Sequence, residues 1–222
     1  MNGLRLAALA SILTLIAAGG SARADIINIT ISNPNAALSG FTGPYANVQV
    51  NRTDSTHATF TFTSLSNGGY TYLMGDGGTA DLNVNGTYSL GAVTESNSFA
   101  GFTPTFVGNA PGVVDGFGQF NLSLNNFDGF TDSATSISFT LTATGSTTWS
   151  DANHVLLAND HGSIAAIHAF ACLNPCNTAE GAAATGFAAN GGSTTVPEPA
   201  SLAIFGTALA GLGLLRRRKR LV

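Results

Sequence analysis

Residues Thr59–Thr63 read TFTFT, two phenylalanines alternating with three threonines. Successive side chains of a strand point to opposite faces, so this stretch puts both rings on one face and all three hydroxyls on the other. A helix would place the two rings on opposite sides of its axis. The same period recurs along the chain. Ile27, Ile29 and Ile31 alternate with Asn28 and Thr30; Phe120, Leu122 and Leu124 with Asn121, Ser123 and Asn125; Ile137, Phe139 and Leu141 with Ser138, Thr140 and Thr142. One apolar and one polar face marks a half-buried antiparallel strand. Glycine and asparagine clusters at 67–69, 75–78 and 125–129 punctuate these segments as turns. In DLNVNGTYSL, Asp81–Leu90, the pair Asn85-Gly86 suits a type I′ turn and predicts a hairpin between Leu82–Val84 and Thr87–Leu90. About eight to eleven short strands at this spacing predict an all-β domain over 25–189, an antiparallel β-sandwich or jelly roll.

Composition narrows the partners. Only 9% of the 222 residues are charged, against roughly 25% in an ordinary soluble domain. Between Asp25 and Val196 one cation, Arg52, stands against eleven acidic residues. Such a domain has no basic patch with which to neutralise phosphates, which argues against nucleic acid and anionic lipid as its partners. The polar faces of its strands carry Ser, Thr and Asn, a surface with hydrogen-bonding capacity and weak ionic fields that suits a polysaccharide-rich matrix.

Both ends carry targeting features. MNGLRLAALASILTLIAAGGSARA has one basic residue, Arg5, a short apolar core and small residues closing on Ala22-Arg23-Ala24. These are the parts of a signal peptide, 1–24, with cleavage between Ala24 and Asp25. At the other end, the polar tripeptide Pro197-Glu198-Pro199 precedes an apolar run, 200–215, and a basic block, Arg216, Arg217, Arg218, Lys219 and Arg220. Sixteen residues as a helix extend ~24 Å, marginal for a ~30 Å hydrocarbon core unless the flanking arginines snorkel. The basic block predicts a transmembrane helix running from outside to inside. Residues 190–196, rich in Gly, Ser and Thr, predict a flexible linker between domain and tail.

This order of PEP tripeptide, apolar span and arginine-rich end, on a chain with an N-terminal signal, resembles the PEP-CTERM family of exported bacterial proteins. The resemblance covers 197–222 and implies that Pro197, Glu198 and Pro199 are read by exosortase, a membrane-embedded protease or transpeptidase, after which the helix and basic end are removed. It implies a protein exported across the inner membrane, transiently anchored, then placed at the cell surface or outside it, in bacteria that make extracellular polysaccharide. It implies no activity for the β-domain.

Candidate chemistry within the domain is sparse. Cys172 and Cys176, in CLNPC, are the only cysteines, and an exported setting favours a disulfide worth ~2 kcal/mol for so small a loop. With His161 and His168 the same cysteines would make a zinc set, at a spacing that matches no standard pattern. Asp76 with Asp81, and Asp128 with Asp132, lie in glycine-rich loops that would suit structural calcium, although neither has EF-hand spacing and turn aspartates are the simpler reading. No G-x-S-x-G or H-E-x-x-H occurs, and Glu95 and Glu180 are the only glutamates before the tail. A non-catalytic protein without cofactor is the expectation. For a carbohydrate-binding alternative, Trp149, Tyr70 and Tyr72 are the rings on which a sugar would stack; a glycan-active enzyme would need two facing carboxylates.

Overall fold

The computed structural model describes residues 25–127 and 129–195. The predicted signal peptide with its Ala22 and Ala24, and the tail with its PEP tripeptide, apolar run and basic block, lie outside the described residues. Thirteen strands follow in order: β1 Asp25–Pro34, β2 Ala46–Arg52, β3 His57–Ser64, β4 Ser66–Asn67, β5 Tyr70–Met74, β6 Gly77–Leu82, β7 Tyr88–Leu90, β8 Thr94–Ser96, β9 Gly108–Val114, β10 Gly118–Asn125, β11 Ser136–Ala143, β12 Ala165–Leu173 and β13 Ala184–Thr195. The helical content among the described residues is three single 3-10 turns, at Ala36–Leu38, Phe130–Asp132 and Ala152–His154.

The domain is all-β and antiparallel as expected, but it is neither a sandwich nor a jelly roll. All thirteen strands belong to one curled sheet, ordered β7-β11-β3-β2-β1-β13-β12-β6-β10-β9, with β5 pairing β12, β4 pairing β5 and β8 pairing β11. Two packed sheets would need a break in this path. β13 closes it by pairing with β1 on one side and β12 on the other. Strand twist accumulates across so wide a sheet, and irregular register in the β1–β13, β6–β10 and β9–β10 pairs sharpens the bend. The result is a half-barrel whose inner face folds over one core.

That core is built largely from the residues whose alternation was legible, joined by Val48 and Val50 of β2. Ile27, Ile29, Ile31, Val48, Val50, Phe60, Phe62, Ile137, Phe139 and Leu141 are all buried in one cluster. The Phe60 and Phe139 rings stack at 5.3 Å, and Phe62 lies 6.2 Å from Phe139. Each such ring stabilises the fold by roughly 1.5–3 kcal/mol through burial.

Two local expectations are corrected. The stretch 82–90 is not a hairpin: β6 pairs with β10 and β12, Val84 bridges to Leu156, and β7 pairs with β11. Gly86 does take a positive φ of 86°, but Asn85 does not, so the two left-handed residues that a type I′ turn needs are missing. Asn85 is instead held by Val155, whose carbonyl accepts its N–H, and by Trp149, whose indole donates to its carbonyl. The turn with two left-handed residues is Gly68-Gly69, φ 57° and 86°, between β4 and β5. The second correction concerns the linker: 190–195 lies within β13, in register with β1 through Ile29–Ser193, Asn28–Thr194 and Ile27–Thr195. Small polar residues suit an extended strand as well as a tether.

Candidate functional site

Burying the inner face of β1, β2, β3 and β11 leaves their alternate residues pointing outward in register. One row across the four strands is Asn28–Gln49–Thr61–Ser138, and the next is Thr30–Asn47–Thr63–Ser136. A third row holds Asn51, Thr59 and Thr140, with Ile26 at its end. Apart from Ile26, every member is an amide or a hydroxyl, and none is charged. Thr59 and Thr140 hydroxyls pair at 3.0 Å, Thr61 and Ser138 at 3.4 Å, and Gln49 Nε2 donates to Asn28 Oδ1 at 3.4 Å. Asn28, Asn47, Gln49, Thr61 and Thr63 line a shallow depression of about 240 Å³. Such a face donates and accepts hydrogen bonds over a width of about 14 Å, three strand spacings, but holds no group that exchanges protons near neutral pH.

One end of the sheet, where β1 begins and β13 finishes, is closed by the loop 144–155. Arg52 Nε donates to the Trp149 carbonyl at 2.9 Å, Trp149 N–H to the Ser55 carbonyl at 2.8 Å, and Ala152 N–H to Asp25 Oδ2 at 2.7 Å. Two Asp–His pairs flank this closure. His57 Nδ1 lies 2.9 Å from Asp54 Oδ2, and His154 Nδ1 lies 2.7 Å from Asp151 Oδ2. The Thr56 N–H, then His57 and the Thr56 hydroxyl, hold the Asp54 carboxyl well below the usual carboxylate range. The His154 side chain does the same, less strongly, for Asp151, which also caps the 3-10 turn by accepting from Asn153 and His154 N–H. Asp25, expected only as the first residue after cleavage, is thereby the anchor of the loop.

The rings proposed for sugar stacking are placed otherwise. Trp149 and Tyr72 are fully buried. The Trp149 indole N–H finds the Asn85 carbonyl at 2.9 Å, and the Tyr72 hydroxyl donates to the Thr42 carbonyl at 2.6 Å, so both polar tips are satisfied inside. Tyr70 is part-buried, edge-on to Phe41 at 4.9 Å. Stacking on a sugar needs an open ring face, which neither Trp149 nor Tyr72 offers.

Cys172 and Cys176 are joined as a disulfide, packed with Leu73, Phe102 and Phe170. This removes both thiolates from the zinc set. His168 meanwhile faces Phe187, its ring centroid 4.3 Å away, with Thr185 Oγ1 2.8 Å from Nε2; burial pulls its pKa down. Among the described residues, no three His, Cys, Asp or Glu side chains gather as a metal site. Asp76 and Asp81 do not converge on an ion: Asp76 Oδ1 accepts the Gly77 N–H, while Asp81 is fully buried. Asp132 accepts from the Thr103 and Thr131 hydroxyls.

Two acids have environments that the sequence did not disclose. Asp81 faces Ser123 across the β6–β10 ladder, and neither of its carboxyl oxygens accepts a well-formed hydrogen bond. Desolvation raises its pKa to about 7, against the modest lowering by the Ser123 hydroxyl. Glu95, on β8 opposite the inward-facing Ile137, is likewise raised to about 7 by burial, with Asn126 the polar group that opposes the rise. A lone aspartate within the otherwise uncharged stretch Gly77–Leu82 was the available signal for the first. Glu95 lies among Thr, Ser and Asn and gave none.

On the far side of the sheet, Asn83, Pro111, Gln119, Asn121, Asn159 and Asp160 line an open cleft of about 520 Å³. Much of its polar inventory is already committed. Asn121 bonds both the N–H and the carbonyl of Val84, and Asn159 bonds the carbonyls of Phe117 and Gln119 and the N–H groups of His161 and Ser163. These asparagines act as backbone substitutes where strands end.

β13 ends at Thr195, the residue at which a recognisable family motif begins. No curated protein and no solved structure matches the chain. Residues 195–219 match the PEP-CTERM protein-sorting motif. The chain thus carries a PEP-CTERM sorting motif from the end of β13 onward, and that motif implies an exported protein that is processed by exosortase and sorted to the cell surface.

Proposed function

We propose that this is a non-catalytic surface or extracellular-matrix protein that holds neutral extracellular polysaccharide on the outer face of β1, β2, β3 and β11. The observation that carries the reading is the uncharged amide and hydroxyl array in which Asn28, Gln49, Thr61 and Ser138 stand in one row. A single hydrogen bond contributes only about 1 kcal/mol net, so isolated sugars would bind weakly. A polymer engaging successive rows, and several copies of the protein, would bind by multivalency instead. The scarcity of charge supports a neutral rather than an acidic polymer. Of the two candidate modes of sugar binding, hydrogen bonding across the sheet replaces ring stacking, because Trp149 and Tyr72 are buried. Sorting is read from Pro197, Glu198 and Pro199, with the following apolar run as a transient membrane anchor.

Affinity electrophoresis of the mature protein through gels containing the producing cell's own polysaccharide tests the reading. Gln49 and Asn47 are exposed, and the double variant Gln49→Glu with Asn47→Asp keeps their shape while adding two charges. The wild type should be retarded and the variant should migrate as in a gel without polysaccharide; equal retardation of both would refute the face as the site. Sorting is tested separately. Glu198→Ala should leave the precursor uncleaved in a strain with active exosortase, and an unchanged mature mass would refute the role of the tripeptide.

A further inference from the structure

β12 and β13 carry a pair of side chains that neither sorting nor polysaccharide binding uses. Ile167, Ala169 and Ala171 of β12 point into the core, so His168 faces the other way. Its Nδ1 lies 3.2 Å from the Gly77 carbonyl, and Thr185 Oγ1 lies 2.8 Å from its Nε2. A carbonyl only accepts, so Nδ1 carries the proton and Nε2 of the neutral ring is left as an acceptor. Thr185 therefore donates its hydroxyl proton to Nε2. Burial lowers the His168 pKa, against the smaller opposing effect of the Asp76 carboxylate, and this favours the neutral imidazole.

The ring is held in place on several sides. It stacks on Phe187, its cross-strand partner, at a centroid distance of 4.3 Å and on Phe170 at 5.5 Å. The loop bearing the Gly77 carbonyl is fixed in turn, by the Gly75 N–H to the His168 carbonyl at 3.1 Å and the Gly78 N–H to Asn125 Oδ1 at 2.9 Å. A hydroxyl on a neutral imidazole whose other nitrogen is oriented by a third group is the arrangement of an activated nucleophile. Thr185 is exposed, so the hydroxyl is open to a reagent. Beside the loop stands Phe127, 59% exposed, its ring 3.1 Å from where a Cβ on Gly77 would lie. That ring offers an apolar surface to the body of an incoming molecule.

We propose that Thr185 is an acyl-acceptor site, with His168 as its base, modified by activated carboxylic esters that carry an apolar or aromatic group. Thr185 Oγ1 attacks the ester carbonyl carbon while His168 Nε2 takes the hydroxyl proton. The bond from that carbon to the leaving oxygen breaks, and the proton passes from Nε2 to the departing alcohol. An ester on Thr185 and a free alcohol result, with nothing oxidised or reduced. The hydroxyl is consumed, so this is a single modification and not turnover. It depends neither on the outer rows of β1, β2, β3 and β11 nor on the sorting tripeptide.

The mature protein treated with p-nitrophenyl acetate tests this, with nitrophenolate release followed by absorbance and the acetyl group located by fragmentation mass spectrometry. The wild type should acquire one stable acetyl group, on Thr185. Thr185→Val keeps the side chain's shape and should acquire none there, whereas Thr185→Ser should be acetylated at the same position. His168→Gln should slow labelling about 100-fold, the lower end of what a positioned base supplies. Phe127→Ala, which touches neither hydrogen bond, should slow it as well.

A wild type left unlabelled, or labelled no faster at Thr185 than at other exposed hydroxyls, would overturn the proposal. Nitrophenolate release without a label on Thr185 would assign the reaction to imidazole alone and overturn it too. Equal rates for Phe127→Ala and wild type would overturn the choice of donor. Should His168→Gln fail to fold, Thr185→Val and Thr185→Ser, changed at an exposed position, still decide.

Discussion

Replacing Asp81 by Asn should remove a pH dependence that the fold imposes on itself. The Asp81 carboxyl is fully buried, with Gly78 and Phe187 beside it and Ser123 its polar neighbour, and its pKa rises from an ordinary 3.8 to about 7. For an acid whose folded pKa is raised, the unfolded chain releases its proton first. Stability from this group is therefore fully present below about pH 4, falls as pH rises, and is lost once pH passes about 7. Three pH units at 1.36 kcal/mol each give about 4 kcal/mol. Asn cannot ionise, so the stability of Asp81→Asn minus that of wild type should increase by about 4 kcal/mol between pH 4 and pH 8. The difference is the useful quantity. It cancels His168, whose lowered pKa gives stability in the opposite sense, lost as pH falls below its unfolded value. It also cancels the fixed cost of the extra amide donors that Asn buries, about 1–3 kcal/mol. Urea unfolding of the mature protein at half-unit steps of pH measures it. A difference that stays flat from pH 4 to pH 8 would show that Asp81 is not buried as an acid.

Trp149→Ala should cost roughly 3–5 kcal/mol in the same assay, because it removes a fully buried ring and strands the Asn85 carbonyl. If the ring were a surface platform for sugar, the cost would be near zero. Cys172→Ser with Cys176→Ser should lower stability by only about 2 kcal/mol and leave the circular dichroism spectrum intact, since the closed loop spans a sequence separation of four. Loss of folding in that variant would assign the disulfide a larger part than its loop length supports.

How far the fold could be read from the sequence depended on whether a strand had one wet face. TFTFT in β3, and the matching runs in β1 and β11, alternate because their outer face meets solvent; in β10 the alternation includes Ser123, which is buried opposite Asp81. β12, AAIHAFACL, is buried on both faces over most of its length and shows no alternation. β9, GNAPGVV, carries Pro and two glycines at the sheet's edge and reads as loop; a Cβ at its Gly112 would come within 2.9 Å of Ser123. The choice between two sheets and one turned on β13, whose Gly-Gly-Ser-Thr-Thr end pairs with β1 although its composition is that of a linker. Asn85-Gly86 misled for a related reason: local turn chemistry was overridden by Val155 and Trp149, sixty and more residues away. The polar outer face was legible residue by residue, but its continuity over four strands required the register. Trp149 was misplaced because a buried indole is affordable once its N–H finds a carbonyl, and no local pattern announces that partner.

The distribution of charge ties the sheet to the sorting motif. An acidic domain with one cation places no charge in the three outward rows of β1, β2, β3 and β11, while Asp25, Asp54 and Asp151 stand together where the chain leaves the last strand. The two surfaces are perpendicular in use: strand faces look sideways from the sheet, and strand ends look along it. Polysaccharide held on the face, as proposed, would therefore leave the strand ends open. A protein whose binding groups lay in loops at the β13 end would have to release its ligand before being cut. With the proposed binding rows on the strands themselves, loading and sorting would proceed in either order.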